Sequence, residues 1–153
     1  MTSNDEIKSY WQSYLATLSD GSPETYIAEQ FGDSPELANS LGALIVQGVK
    51  RATCSCVWEW EAQGMPLPEV GLKTIVLDAN NTPLCIIETT EVEILPYDEV
   101  GASFARAEGE GDLSLEFWRE AHWNYFSRAL PKIGREPSPD MPVVCEHFRV
   151  VYQ

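Results

Sequence analysis

The second half of the chain is written largely in β-branched residues, and this limits the folds open to it. KTIVLD (73–78) leads through turn residues 79–83 into LCIIETTEVEIL (84–95), a hairpin with a long second strand. VVCEHFRVVY (143–152) supplies a further strand. Around these lie helical patterns. Ser3 and Glu6 have capping-box spacing ahead of Ile7, Tyr10, Trp11, Tyr14, Leu15 and Leu18, a first helix stopped near Gly21 and Pro23. Ser34 and Pro35 open a second, which turns Leu37, Leu41, Leu44 and Ile45 inward and ends at Gly48. Leu115, Trp118, His122 and Phe126 mark a third over 114–130. Helices and strands alternate too irregularly for a parallel doubly wound sheet. The expectation is an α+β fold with a largely antiparallel, barrel-like sheet. Residues 1–30 read as a helical extension on a domain spanning 31–153, in a single compact unit.

A chain of 153 residues can bury roughly 70% of its unfolded surface in one core, so no covalent staple is required. Its four cysteines are few and irregularly spaced, which points to reduced thiols and a cytoplasmic location. The N-terminal residues lack the basic start and apolar run of a signal peptide, and no stretch approaches the ~18 apolar residues of a membrane helix. The expected protein is soluble, a monomer or homodimer, without a membrane partner. Ten basic residues against 24 acidic ones give a formal charge of −14. That balance repels polyanions and argues against duplex DNA. Any nucleic-acid ligand would need a local basic pocket.

Several side chains invite a chemical reading. Cys54 and Cys56, like Cys145 and His147, are two apart and would share a strand face, whereas structural zinc sites use wider loop spacing. No metal or cofactor is expected. No local signature supports a cysteine nucleophile with His122 as base, and His122 lies on the apolar stripe of its helix, as a buried structural histidine would. Trp118 is on that stripe, while Trp123 falls off it and suits a pocket wall that stacks on a base. EGEGD (108–112) gathers Glu108, Glu110 and Asp112 on a glycine-loosened backbone, either hard oxygen ligands or a solvated loop ahead of a helix N-terminus. Lys50 and Thr53, three apart, would point to opposite faces of an extended strand. They meet in one pocket only if the chain turns, which Gly48 permits.

Taken in order, GVKRAT after a helix, the strand text of 84–100, AEGEGDLSLEFWREAHWNYFSR and the closing MPVVCEHFRVVY resemble the bacterial ASCH-domain proteins, a branch of the PUA-like superfamily. The resemblance runs from about residue 31 to 152. It implies a PUA-like β-barrel flanked by helices, with a cleft for RNA or a modified nucleoside. Family members include an amidohydrolase that removes the acetyl group from N(4)-acetylcytidine, and a relative with ribonuclease activity. The amidohydrolase uses a lysine and threonine in Lys-x-x-Thr spacing, matched by Lys50 and Thr53, and a glutamate in an Ala-Glu-x-Glu pattern, matched by Glu110. The small amidohydrolases carry an arginine shortly after the threonine, where this chain has Cys54, Ser55 and Cys56, and they lack its N-terminal helix.

The resemblance implies that the Thr53 hydroxyl attacks an acyl carbon, with Lys50 and Glu110 sharing the acid and base roles. Two assignments are open: a neutral Lys50 as base with Glu110 as acid, or Glu110 as base with a charged Lys50 stabilising the oxyanion. Arg51, Arg106, Trp123, Ser127 and Arg128 are the candidate substrate-binding residues. A single-stranded RNA ribonuclease and a non-catalytic nucleotide-binding module are the alternatives.

Overall fold

The computed structural model describes residues 3–19 and 25–153. The Ser3 side chain and the expected helix stop at Gly21 and Pro23 lie outside the described residues. The elements follow in the order α1 (Ser3–Leu15), β1 (Tyr26–Gln30), α2 (Pro35–Val46), β2 (Ala52–Cys56), α3 (Val57–Ala62), β3 (Lys73–Leu77), β4 (Pro83–Pro96), α4 (Ala102–Glu108), α5 (Leu115–Ala129) and β5 (Pro142–Tyr152). The strands form one five-stranded sheet in the order β1-β3-β4-β5-β2. This is the expected α+β class. No helix among the described residues is long and apolar enough to cross a membrane.

Two compact units are distinguished. The first comprises Met1–Gly48, Gly71–Glu88 and Arg149–Gln153. Here β3 runs parallel to β1 and antiparallel to β4, with a register shift at Val76/Leu77. All five residues of β3 are buried, which accounts for its near-continuous apolar text. Trp11 and Tyr14 of α1 pack on Ile75, Leu77 and Ile86. Lys73 and Arg149 both hold Glu88, at 2.8 and 2.9 Å. Ser34 caps α2 as its position predicts, accepting from the Leu37 N–H at 3.1 Å. The strand β1, within the stretch read as a helical extension, has only five residues and no alternation in exposure to give it away.

The second unit comprises Val49–Val70 and Thr89–Phe148. Its strands β2 and β5 pair antiparallel, placing Ala52 opposite His147, Thr53 opposite Glu146 and Cys54 opposite Cys145. Ser114 caps α5 by accepting from the Phe117 N–H at 3.0 Å, and Trp118, Phe126 and Leu130 enter a core with Tyr97, Met141 and Val143. Two helices escape the apolar pattern. α3 falls in the tryptophan-rich segment and is only six residues long; the Glu59 carboxylate accepts its leading Cys56 N–H at 3.0 Å. α4 covers the alanine-rich start of a segment that its glycines make look like loop.

Glu146 is 8% exposed, and the Thr89 hydroxyl donates to it at 3.1 Å. Burial pushes its carboxyl from 4.5 up to about 7. An acid raised in the folded state binds its proton there after the unfolded chain has released it. Stability therefore falls as pH rises from 4.5 towards 7, by up to about 3 kcal/mol. Glu146→Gln keeps the acceptor and removes the charge. The expected result of urea unfolding is that the variant gains on the wild type between pH 4.5 and pH 8 by up to that amount. A stability difference that stays constant with pH would refute the assignment.

Candidate active site

At the end of α2 the chain turns through Gly48, at φ +78°, and delivers Lys50 just ahead of β2. The Lys50 side chain does not stay at the surface as a helix-end charge would. It is 2% exposed, and its ammonium donates to the Ala52 carbonyl at 2.9 Å, Glu108 Oε1 at 2.7 Å and Glu110 Oε2 at 2.8 Å. These three acceptors match its three protons. Burial alone would lower the lysine pKa, but the charges and hydrogen bonds of Glu108 and Glu110 outweigh it, and the net displacement is upward. Lys50 is therefore a cation at neutral pH.

Glu108 is 1% exposed and takes three partners: Lys50 on Oε1, and on Oε2 the Trp118 indole N–H at 2.5 Å and His122 Nε2 at 2.9 Å. Burial raises a carboxyl, yet the charges of Lys50 and then His122 hold this one well below the usual carboxylate range. His122 stacks on Trp118 at 4.2 Å, and its Nδ1 faces the Trp118 carbonyl at 2.9 Å. A carbonyl and a carboxylate can only accept, so this arrangement favours protons on both ring nitrogens. Burial opposes that charge, and Glu108 reverses the balance to raise the histidine pKa. Lys50 thus lies between Glu108 and Glu110, and the buried Glu108 is held by both Lys50 and His122, as deep burial of a carboxylate demands.

Backbone geometry fixes this cluster. The Arg51 N–H donates to the Ala107 carbonyl at 2.8 Å, tying the entry of β2 to the end of α4. Between the two glutamates Gly109 adopts φ +71°; a Cβ there would fall on the Val49 carbonyl oxygen and 2.9 Å from the Lys50 Cα. No other residue allows this approach, which places one carboxylate on each side of the ammonium.

Lys50 and Glu110 are thus brought together. Thr53 lies partly buried on β2 opposite Glu146, and among the described residues no hydrogen bond joins it to Lys50 or Glu110. Arg51, Arg106, Ser127 and Arg128 are exposed. Trp123 is partly buried and leans on Tyr97 at 5.5 Å. A cavity of about 450 Å³ opens in this unit, with Thr90, Glu91, Glu93, Phe104, Cys145 and His147 on its wall. Phe104 meets both His147 and Trp118 edge-on, at 5.4 and 6.2 Å, and so connects the cavity wall to the indole that binds Glu108.

The sequence offers Glu108 as a hard oxygen ligand or a solvated loop residue; its burial overturns the solvated reading, and a signal for that burial existed. Trp118 and His122 are one helical turn apart on an apolar face, and both carry a buried polar edge that needs an acceptor. Asp112 accepts instead from the Ser114 N–H at 2.9 Å, which separates it from the two glutamates. Among the described residues, no group of three His, Cys, Asp and Glu side chains is placed to hold a metal ion.

Residues 27–152 match the family model of the ASCH domain. The chain belongs to the ASCH-domain family. It is similar to the crystal structure of an ASCH domain from Lactobacillus crispatus JV V101, with 38% identity and a TM-score of 0.91, over 97% of this chain and 96% of that one. A protein of Enterococcus faecalis V583 is also 38% identical, with a TM-score of 0.87 over 97% of this chain and 90% of its own. These likenesses establish the ASCH, PUA-like fold. A search of curated proteins finds no match.

Gly109→Ala should cost more than about 2 kcal/mol, combining the αL penalty with the backbone collision. Gly134, at φ +76° with open space around its Cβ direction, is the control; Gly134→Ala should cost only about 1–2 kcal/mol. Equal losses in denaturant unfolding would mean that the close approach at Gly109 contributes nothing.

Proposed function

We propose that this protein hydrolyses the amide of a nucleoside bearing an acylated exocyclic amine, of the N(4)-acetylcytidine type. The observation that carries the reading is Glu110, whose carboxylate is 22% exposed while held at 2.8 Å by a fully buried lysine. A charged Lys50 supports the assignment in which Glu110 is the general base. The lysine then orients that carboxylate and supplies fixed positive charge near the developing oxyanion.

In this reading the Thr53 hydroxyl oxygen attacks the acyl carbon and its proton passes to Glu110. The tetrahedral intermediate collapses, the C–N bond breaks, and the exocyclic amine leaves with that proton. Water, deprotonated by Glu110, hydrolyses the acyl-threonine ester and restores the hydroxyl. Thr53 enters through the family resemblance, and its alignment with Glu110 would be completed on substrate binding.

The cavity has the size and lining for a nucleoside, although its wall residues Cys145 and His147 are on the face of the β2/β5 ladder opposite Thr53. Its volume lies within the ~300–1,000 Å³ range of small-molecule sites, and Phe104 and His147 offer ring surfaces for a base. Glu91 and Glu93 on its wall disfavour a phosphate and favour an uncharged ligand. A single-stranded ribonuclease would use the same Lys50 and Glu110, with the exposed Arg51, Arg106 and Arg128 tracking phosphates. Neither these arginines nor Lys50, Thr53 and Glu110 are among the residues of the cavity wall, so it is the acidic wall that disfavours the ribonuclease.

The test is incubation with N(4)-acetylcytidine, and separately with a short single-stranded RNA, followed by chromatography. The expected outcome is deacetylation with intact RNA, and a fall in kcat of about 10²–10⁴-fold for Glu110→Gln. Thr53→Ala should abolish turnover and Thr53→Ser should retain part of it. RNA cleavage with untouched acetylcytidine would favour the ribonuclease, and binding without turnover would favour a recognition module.

A further inference from the structure

The four cysteines are free, and two of them face each other. Cys54 of β2 and Cys145 of β5 are direct partners in the antiparallel ladder. The ladder also fixes which kind of partners they are. Phe148 donates its backbone N–H to the Arg51 carbonyl at 3.0 Å while the Arg51 N–H goes to Ala107, so Arg51 and Phe148 occupy a hydrogen-bonding position at the end of the ladder with one of its two bonds made. Bonded and non-bonded pairs alternate along antiparallel strands, so three positions further on Cys54 and Cys145 form a non-bonded pair. Such pairs bring their Cα atoms to ~4.5 Å, at the short end of the ~4.4–6.8 Å that a disulfide spans. The Cys54 thiol donates to the Ser55 carbonyl at 3.9 Å. Neither other cysteine has a cysteine opposite it: Cys56 faces Val143, and Cys85 faces Val76.

We propose that Cys54 and Cys145 form a redox-sensitive dithiol, closed to a cross-strand disulfide by a hydroperoxide and reopened by a thiol reductant. Cys145 is buried but on the cavity wall, and Cys54 opposite it is half-buried; the first oxidation is placed at Cys145, which borders the cavity. Its sulfur attacks the peroxide O–O bond, giving a sulfenic acid and one water. The Cys54 thiol then displaces hydroxide from that sulfur, forming the S–S bond and a second water, so two thiols and one hydrogen peroxide yield one disulfide and two waters. Burial and the neighbouring Cys145 hold the Cys54 thiol well above its ordinary pKa, so the second step runs faster in alkaline solution. This device is independent of which ligand the cavity takes.

The test is to treat the reduced full-length protein with hydrogen peroxide and follow intact mass and proteolytic peptides. The expected product has lost two hydrogens, carries a peptide joining Cys54 to Cys145, and returns to the starting mass with dithiothreitol. Cys54→Ser should lose no hydrogens and leave a Cys145 sulfenic acid that dimedone captures. A bridge mapped to another pair, stable sulfenic acid in the wild type, or direct passage to sulfinic acid would overturn the proposal. Because the wild-type map needs no substitution, a folding defect in a variant cannot obscure the result.

Discussion

Burying an ammonium is among the costlier things a small domain can do, and the second unit is arranged around meeting that cost at Lys50. Stripping a lysine of water is tolerable only if opposite charge and three acceptors are waiting. Glu108, Glu110 and the Ala52 carbonyl meet the requirement, and each constrains the chain elsewhere. Two glutamates can flank one ammonium only if the backbone between them comes against 49–50, hence glycine at 109. The deeply buried Glu108 takes a second partner on its other oxygen, His122 on α5, which stacks on Trp118. Removing one partner of such a group leaves a buried charge uncompensated, typically at 3–5 kcal/mol.

Much of the fold was legible because its signals are local. Ser34 caps a helix where its position predicts, the third helix starts at the expected Ser114, and the runs beginning at Lys73, Leu84 and Val143 form strands. What escaped was short or broken by glycine. β1 is a five-residue strand recruited by parallel pairing to β3, an interaction no local pattern announces. α4 was concealed by the glycines that end it, one of which serves the site rather than the helix.

The site was legible in part. The Lys50–Thr53 spacing and the Ala-Glu-x-Glu motif, singled out through the family resemblance, mark two separated segments that the fold joins through Lys50 and Glu110. Sequence order could not say which of the two held the proton, because a lysine pKa depends on burial and on neighbours sixty residues away. Nor could it show that Glu108, not only Glu110, faces the ammonium, or that Trp118 and His122 converge on the same carboxylate. Those are consequences of α4 and α5 meeting, a long-range fact. The −14 charge, read first as repulsion of polyanions, gains a local counterpart in Glu91 and Glu93 on the cavity wall.

The account rests on Lys50 being a buried cation rather than a neutral base. NMR of protein carrying ¹⁵N-labelled lysine tests this directly, since the side-chain nitrogen resonance distinguishes ammonium from amine. The Lys50 resonance, assigned with Lys50→Arg, should remain that of an ammonium beyond pH 10.5, the ordinary lysine value. An amine titrating near pH 7.5, about where a general base would sit, would contradict the account.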